Sequence, residues 1–264
     1  MKHRLLIALL VLSAPLFAHE GLHEQIVEMT KRIQADPANA ALHLKRGELY
    51  RMHEQFALAA QDYDRAAALD PQLHSVDLGR GLLWTASGRT TDAIGALQRY
   101  VAAEPNDPEG HIALARALVK AGRPSEGAIE YTTALRTVPD PDIAIERAQA
   151  LLAADRADEA LRGLDEILEH LGPIVTLQLT AIDIEVHRRD LNAALRRIDA
   201  AIAATPSRNE AWLELRGDIL ICAGRPAEAR EAYQAALEAI ASLPPERRAT
   251  RAVVERERRL RMGL

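Results

Sequence analysis

Small and large apolar residues return along this chain at a fixed interval. Gly47, Gly81, Ala115, Ala148 and Gly217 share one recurring position, where Ile182 is the exception. Ala59, Ala93, Gly127, Ala160, Ala194 and Ala229 share a second, and a large apolar residue follows each four places on: Tyr63, Leu97, Tyr131, Leu164, Ile198 and Tyr233. Prolines keep the same step, with Pro37, Pro71, Pro105, Pro139 and Pro173 each 34 residues apart and Pro206 a further 33 on. Such self-similarity marks a stack of repeated units, none able to bury its apolar face alone. Each unit is predicted to hold two helices of about a dozen residues or more, long enough for one apolar face each. The small residues let two backbones approach, and the large one fills the space beside the next unit. Between the helices lie SGRTTDA, AGRPSEG, ADRADEA and AGRPAEA. Gly88, Gly122 and Gly224 suit a helix end, Pro124 and Pro226 suit a helix start, and the periodic proline closes the second helix.

The clearest copy reads LHLKRGELYRMHEQFALAAQDYDRAAALDP, with Gly47, Tyr50, Ala59, Tyr63, Ala66 and Pro71 in register. On these residues the chain resembles the tetratricopeptide repeat family. The resemblance covers six units, at 40–73, 74–107, 108–140, 141–174, 175–209 and 210–243, preceded by a half-unit at 19–39 that contains HEQIVEMTKRIQADP. It implies an all-α fold, a right-handed α-solenoid of stacked antiparallel helix pairs. There are departures. His43, Asp77, His111, Ala144, Gln178 and Leu213 stand where the family carries a large residue, and Arg46, Arg80, Arg147 and Arg216 where it carries Leu. In the unit at 175–209, Ile182 and Glu185 replace a small and an aromatic residue.

The resemblance also implies a function, binding of an extended peptide or helix along a concave groove lined by the first helix of each unit. Its positions transfer to Leu44, Leu78, Ile112, Ile145 and Leu179, with Glu214 ending the line, and to Glu48, Leu82, Arg116, Gln149, Asp183 and Asp218 beside it. A further row is Arg51, Thr85, Val119, Leu152, Val186 and Ile221, with Lys120 and His187 adjacent. The apolar members either face a partner or pack between helices, because groove and core adjoin on a helical wheel. One family subtype grips a C-terminal carboxylate through a Lys and Asn clamp; Leu44 and Glu48 at the corresponding places do not support that mode.

Composition narrows the partner only in part. Of 264 residues 48% are apolar but 3% aromatic, so the core is built from Ala and Leu at close spacing. A net charge of −5 and the mixed signs along the groove argue against a nucleic-acid surface. Residues 1–18 differ from the rest: MKHR, then LLIALLVLSAPLFA, too short for an ordinary membrane span. They are expected to be a secretory signal peptide cleaved after Ala18, which places the protein in the periplasm or outside the cell with no stable span remaining. No Cys follows the run to carry a lipid. Cys222 is the sole cysteine, so no intrachain disulfide forms, and it is expected to be partly buried. Residues 244–264 hold 7 Arg and 3 Glu and are expected to form a basic capping helix, with contact to an acidic partner, anionic lipid or the chain's own acidic body as alternatives.

Catalytic patterns are few. There is no phosphate-binding glycine loop and no G-x-S-x-G elbow. HEGLH at 19–23 matches the H-E-x-x-H of zinc proteases, in which two His on one helix face hold the metal and the Glu activates water. The longer form fails at Ile26 and Met29, and cleavage after Ala18 would leave His19 terminal with no helical turn before it. No cofactor and no catalysis are therefore expected. A metal-binding accessory role, with the amine and imidazole of His19 joined by His23, is the first alternative. A zinc-dependent hydrolase is the more remote one. The leading expectation is an exported, non-enzymatic scaffold or adaptor for a protein or peptide.

Overall fold

The computed structural model describes residues 14–263, with side-chain burial from residue 21 onward. Among the described residues there are fifteen helices and no strand. A long first helix, α1 (Ala14–Ala35), precedes six pairs. These are α2 (Ala40–Met52) with α3 (Phe56–Leu69), α4 (Ser75–Ala86) with α5 (Thr90–Ala103), and α6 (Pro108–Lys120) with α7 (Pro124–Thr137). Then come α8 (Pro141–Ala153) with α9 (Ala157–Leu171), α10 (Val175–His187) with α11 (Leu191–Ala204), and α12 (Glu210–Cys222) with α13 (Pro226–Ser242). A single turn, α14 (Pro245–Arg248), leads to α15 (Arg251–Gly263). The chain divides into two compact units, one ending at Ala154 and one beginning at Asp155. The division falls inside the repeat at 141–174, between its two helices, and the even periodicity gives no sign of it.

Every pair turns in the same way. The fifteenth residue of each unit has a left-handed backbone: Gly88, Gly122 and Gly224, but also Glu54, Asp155 and Arg189 at φ 58, 57 and 60°. At Gln55, Arg89, Arg123, Asp190 and Arg225 the next N–H reaches back to a carbonyl of the first helix, as in Gln55 N to Tyr50 O at 2.8 Å. This six-to-one bond absorbs carbonyls the helix end leaves free and returns the chain beside itself. Three repeats accept the geometry without the glycine that best tolerates it.

Packing follows from the alternation of small and large. Tyr63 is fully buried between α2 and α4. A methyl group at Gly47 or Gly79 would lie 2.7 or 2.9 Å from its ring, closer than van der Waals contact allows. Leu97 meets Gly81 and Tyr233 meets Gly217 in the same manner. Burying one such side chain contributes about 1.5–3 kcal/mol. In the second unit Tyr233, Ile240 and Leu243 share a cluster with Val253 and Leu260 of α15, so that helix covers α13. Two of its arginines also reach this unit, Arg256 and Arg259 donating to Glu214 at 2.6 and 3.0 Å, and Arg247 of α14 donates to Glu210 at 3.3 Å.

The charged and histidine departures from the family pattern prove to be polar links. His43 Nδ1 stands 3.3 Å from Asp62 Oδ1 and its Nε2 3.3 Å from the Pro37 carbonyl. His111 repeats this with Glu130 at 2.6 Å and the Pro105 carbonyl at 3.0 Å. Each imidazole ties the proline before its unit to the unit's second helix. At the same position Asp77 accepts from Arg99 of α5. The arginines standing for Leu reach second helices too: Arg46 to Asp62, Arg80 to Asp64, Arg147 to Thr132 and Arg216 to Asp199. Glu185, 5% exposed, is matched by Arg197 at 3.0 Å. Around Asp62, His111 and Glu185 the change exchanges an apolar contact for a hydrogen bond that satisfies a buried polar group, whereas the Arg80–Asp64, Arg99–Asp77 and Arg216–Asp199 links lie at the surface.

One expectation is corrected. Cys222 is exposed, because it is the last residue of α12 and shares its repeat position with Lys120 and His187, beyond the helix–helix contact. In the chain before any cleavage α1 begins at Ala14, ahead of His19. The basic start and most of the apolar run of the expected signal peptide lie outside the described residues. No described helix is long and apolar enough to cross a membrane.

Candidate functional site

The first helices of the first unit present a face of mixed character. Leu44 does not lie on it: it packs in the core with Tyr63, Val76 and Leu83. Leu78 and Leu82 are half-buried against Leu114 and Leu118, and Ile112 and Ile145 are half-buried as well. The apolar surface lies instead nearer the helix ends, at Met52, Val119 and Leu152, which are 57, 37 and 37% exposed. Glu48 is half-buried, and loss of hydration raises its carboxyl above the ordinary value against the pull of Lys45 and Arg51. Arg51 is half-buried beside Tyr63, with its Nε sealed from solvent. In the second unit Leu179 and Asp183 are exposed on α10, with Asp183 Oδ1 3.3 Å from His187 Nδ1.

Three of the transferred positions converge between α6 and α8. Arg116, Lys120 and Gln149 line a cavity of about 380 Å³ together with Val119, Tyr131 and Glu146. Arg116 donates through Nε and Nη2 to the two oxygens of Glu146 at 2.8 and 2.5 Å. The Tyr131 hydroxyl donates to Glu146 Oε2 at 2.6 Å. These bonds, that of Arg116 first, hold the Glu146 carboxyl below its ordinary value, while burial and the same carboxylate push the Tyr131 phenol far up. Glu146 is therefore an ionised, fully engaged carboxylate. Lys120 Nζ donates to the Thr85 carbonyl at 2.6 Å and is paired with no acid among the described residues. Gln149 is exposed. The cavity thus has donors to spare and aliphatic walls, with neither a nucleophile–base pair nor a metal-ligand set.

Sequence reasoning placed Arg116, Lys120 and Gln149 on one face. It passed over Glu146, on the next first helix, and treated Tyr131 only as packing. The available signal was the spacing of 15 between Tyr131 and Glu146, matched by Tyr233 and Asp218 with the partners in reverse order and bonded at 2.8 Å. His19 and His23 fall one turn apart on α1; His23 is exposed and the side chain of His19 lies outside the described surroundings. Among the described residues no three His, Cys, Asp or Glu side chains gather as a metal site.

Three family profiles match the chain. One described as a tetratricopeptide repeat-like domain covers residues 142–255, and two described as tetratricopeptide repeats cover 85–145 and 44–108. A curated relative, the tetratricopeptide repeat and J domain-containing co-chaperone DNJ1 of Fusarium oxysporum f. sp. lycopersici, is 28% identical over 159 residues. That match takes in 60% of this chain and 28% of the co-chaperone, so the chain spans little more than a quarter of its length. Among solved structures, YrrB, described as a TPR protein with an unusual peptide-binding site, superposes with a TM-score of 0.55 at 19% identity, over 68% of this chain and 93% of its own. PilF of Pseudomonas aeruginosa gives 0.56 at 18%, over 75 and 91%. A tetratricopeptide repeat protein of Parabacteroides merdae gives 0.51 at 15%, over 92 and 98%. At these identities the likeness is one of fold.

Proposed function

Because this chain belongs to the tetratricopeptide repeat family, we propose that it is an exported, non-enzymatic adaptor that holds an extended protein segment on the first-helix face of its first unit. The observation carrying this reading is the cavity between α6 and α8, lined in part by exposed Val119, with exposed Leu152 three residues beyond Gln149 on α8. Exposed aliphatic surface beside unsatisfied donors suits a peptide, which brings apolar side chains and a polar backbone together. The co-chaperone relative and the peptide-binding YrrB lend the reading support by analogy only. Export rests on the basic start and apolar run of residues 1–18, and it places the partner in the periplasm or outside the cell.

A photo-crosslinking amino acid at Gln149 tests the adaptor reading, with the same group at Gln98 of α5 as the control. The expected result is a discrete crosslinked partner from the source envelope at position 149 alone. That product should disappear in the pair Val119→Asp and Leu152→Asp, with the helical circular dichroism retained. Identical products from both crosslinking positions would defeat the reading. The mass of the mature amino terminus tests export, and a mass retaining residues 1–18 would count against it.

A further inference from the structure

We infer that the α6–α8 cavity takes a side-chain carboxylate, from an Asp or Glu flanked by aliphatic residues within the bound segment. This rests on the adaptor reading above and adds the chemistry of the anchor. The charges and donors on its walls select such a group. Two cations and one anion line the cavity, Arg116, Lys120 and Glu146. Glu146 Oε1 accepts from Arg116 and Oε2 from both Arg116 and Tyr131, which leaves this carboxylate little capacity to receive a further donor. Arg116 makes those bonds with Nε and Nη2, so Nη1 remains available. Lys120 gives one of its three hydrogens to the neutral Thr85 carbonyl, so its charge is uncompensated. The exposed Gln149 amide adds another donor on the opposite wall. A ligand that brings a cation meets repulsion, and one that brings only donors finds few free acceptors. An anion with lone pairs meets one net positive charge and three donors, and aliphatic neighbours meet Val119 and Leu152.

The cavity, about 380 Å³, has room for an acidic side chain and parts of its neighbours but not for a folded element. Exposed apolar residues stand on both helices that bound it, Val119 on α6 and Leu152 on α8. A chain crossing from one helix to the other has apolar contacts before and after the anchor. That favours an internal acidic residue over a chain end. The prediction differs from a terminal-carboxylate clamp, which has no counterpart at Leu44 and Glu48.

The test uses the full chain and two display libraries of random nine-residue segments. In one the segments are fused at both ends, and in the other they carry a free C-terminus. The expected result is enrichment of Asp or Glu between aliphatic residues in the doubly fused library. A synthetic, end-blocked copy of the best segment should bind about tenfold more weakly to Lys120→Met, the order expected of one charge-assisted hydrogen bond. It should bind more tightly to Gln149→Lys and more weakly to Gln149→Glu, with the differences shrinking in high salt. A gain of affinity in Gln149→Lys cannot come from misfolding. Enrichment without acidic preference, or indifference to the charge at position 149, would overturn the inference and leave the adaptor reading standing. Enrichment in the free C-terminus library alone would overturn it in favour of a terminal carboxylate. No enrichment in either library would defeat the adaptor reading and the inference with it.

Discussion

Asp62 and Asp64 stand two residues apart on α3, and each is bonded to an arginine at the same repeat position, yet their removal should have very different costs. The Asp62 side chain is 6% exposed and accepts from Arg46 Nε and Nη2 at 2.7 and 2.8 Å, with His43 Nδ1 3.3 Å away. Asp64 is 71% exposed and accepts a single bond from Arg80 at 2.5 Å. Asp62→Ala strands a guanidinium only 18% exposed and a buried imidazole. Breaking one side of a buried pair typically costs about 3–5 kcal/mol, and the low end applies because Arg46 keeps some contact with water and its bond to Thr30 at 3.2 Å. Asp64→Ala loses an exposed pair and should cost about 0–1 kcal/mol. The expected gap is therefore about 2–3 kcal/mol. Helical arrays can melt in pieces, so a local probe is needed. Trp84 on α4 reports the first unit, and a Trp212→Phe background silences the other tryptophan. Urea titrations followed by Trp84 fluorescence should show an early transition for Asp62→Ala alone. Midpoints within about 1 kcal/mol of each other would refute the claim that burial, rather than pairing as such, sets the value of these links.

Three further outcomes are expected. The Tyr63 hydroxyl is sealed from solvent and has no carboxylate partner, only a weak approach of Arg51, and burial pushes its phenol up to about 12; Tyr63→Phe should leave the urea midpoint unchanged or raise it, whereas Tyr131→Phe, which loses Glu146, should cost about 1–2 kcal/mol. Glu146 is held below its ordinary pKa, so its contribution is complete above about pH 4.3 and lost as the pH falls through the folded-state value. Glu146→Gln should accordingly be less stable than the parent at pH 7, with the difference closing in acid, and a constant difference across the pH series would contradict this. Glu54 has φ 58° where three sister repeats carry Gly, so Glu54→Gly should raise thermal and urea stability by about 1 kcal/mol; a decrease would mean that the left-handed turn is not strained.

The helices were legible because their signals are local and repeated. Small and large residues at 47, 59 and 63, and their images down the chain, set both the period and the face each helix buries. The candidate site was legible only in outline. Position within a repeat put Arg116, Lys120 and Gln149 on one side of the first helices, yet Leu44 at an equally plausible position is buried beneath Tyr63. A helical wheel cannot separate core from rim when the boundary shifts by a fraction of a turn. Glu146 escaped notice because its relation to Arg116 spans 30 residues and two helices. The histidines and arginines that break the family pattern looked like weakened packing, and their partners are 15–19 residues away on a neighbouring helix.

By itself the sequence determined the helical class, the six pairs and their turns, because each depends on propensity, periodicity and chain reversal within one unit. Tertiary structure alone decided where the array divides, at Ala154. It also decided that Cys222 faces solvent and that Tyr63 lacks the hydrogen bond Tyr131 makes. It decided which charges remain unbalanced as well. Arg116 is matched by Glu146 while Lys120 meets only a carbonyl. Net charge counts residues, but a binding surface depends on which charges find each other once the helices are stacked.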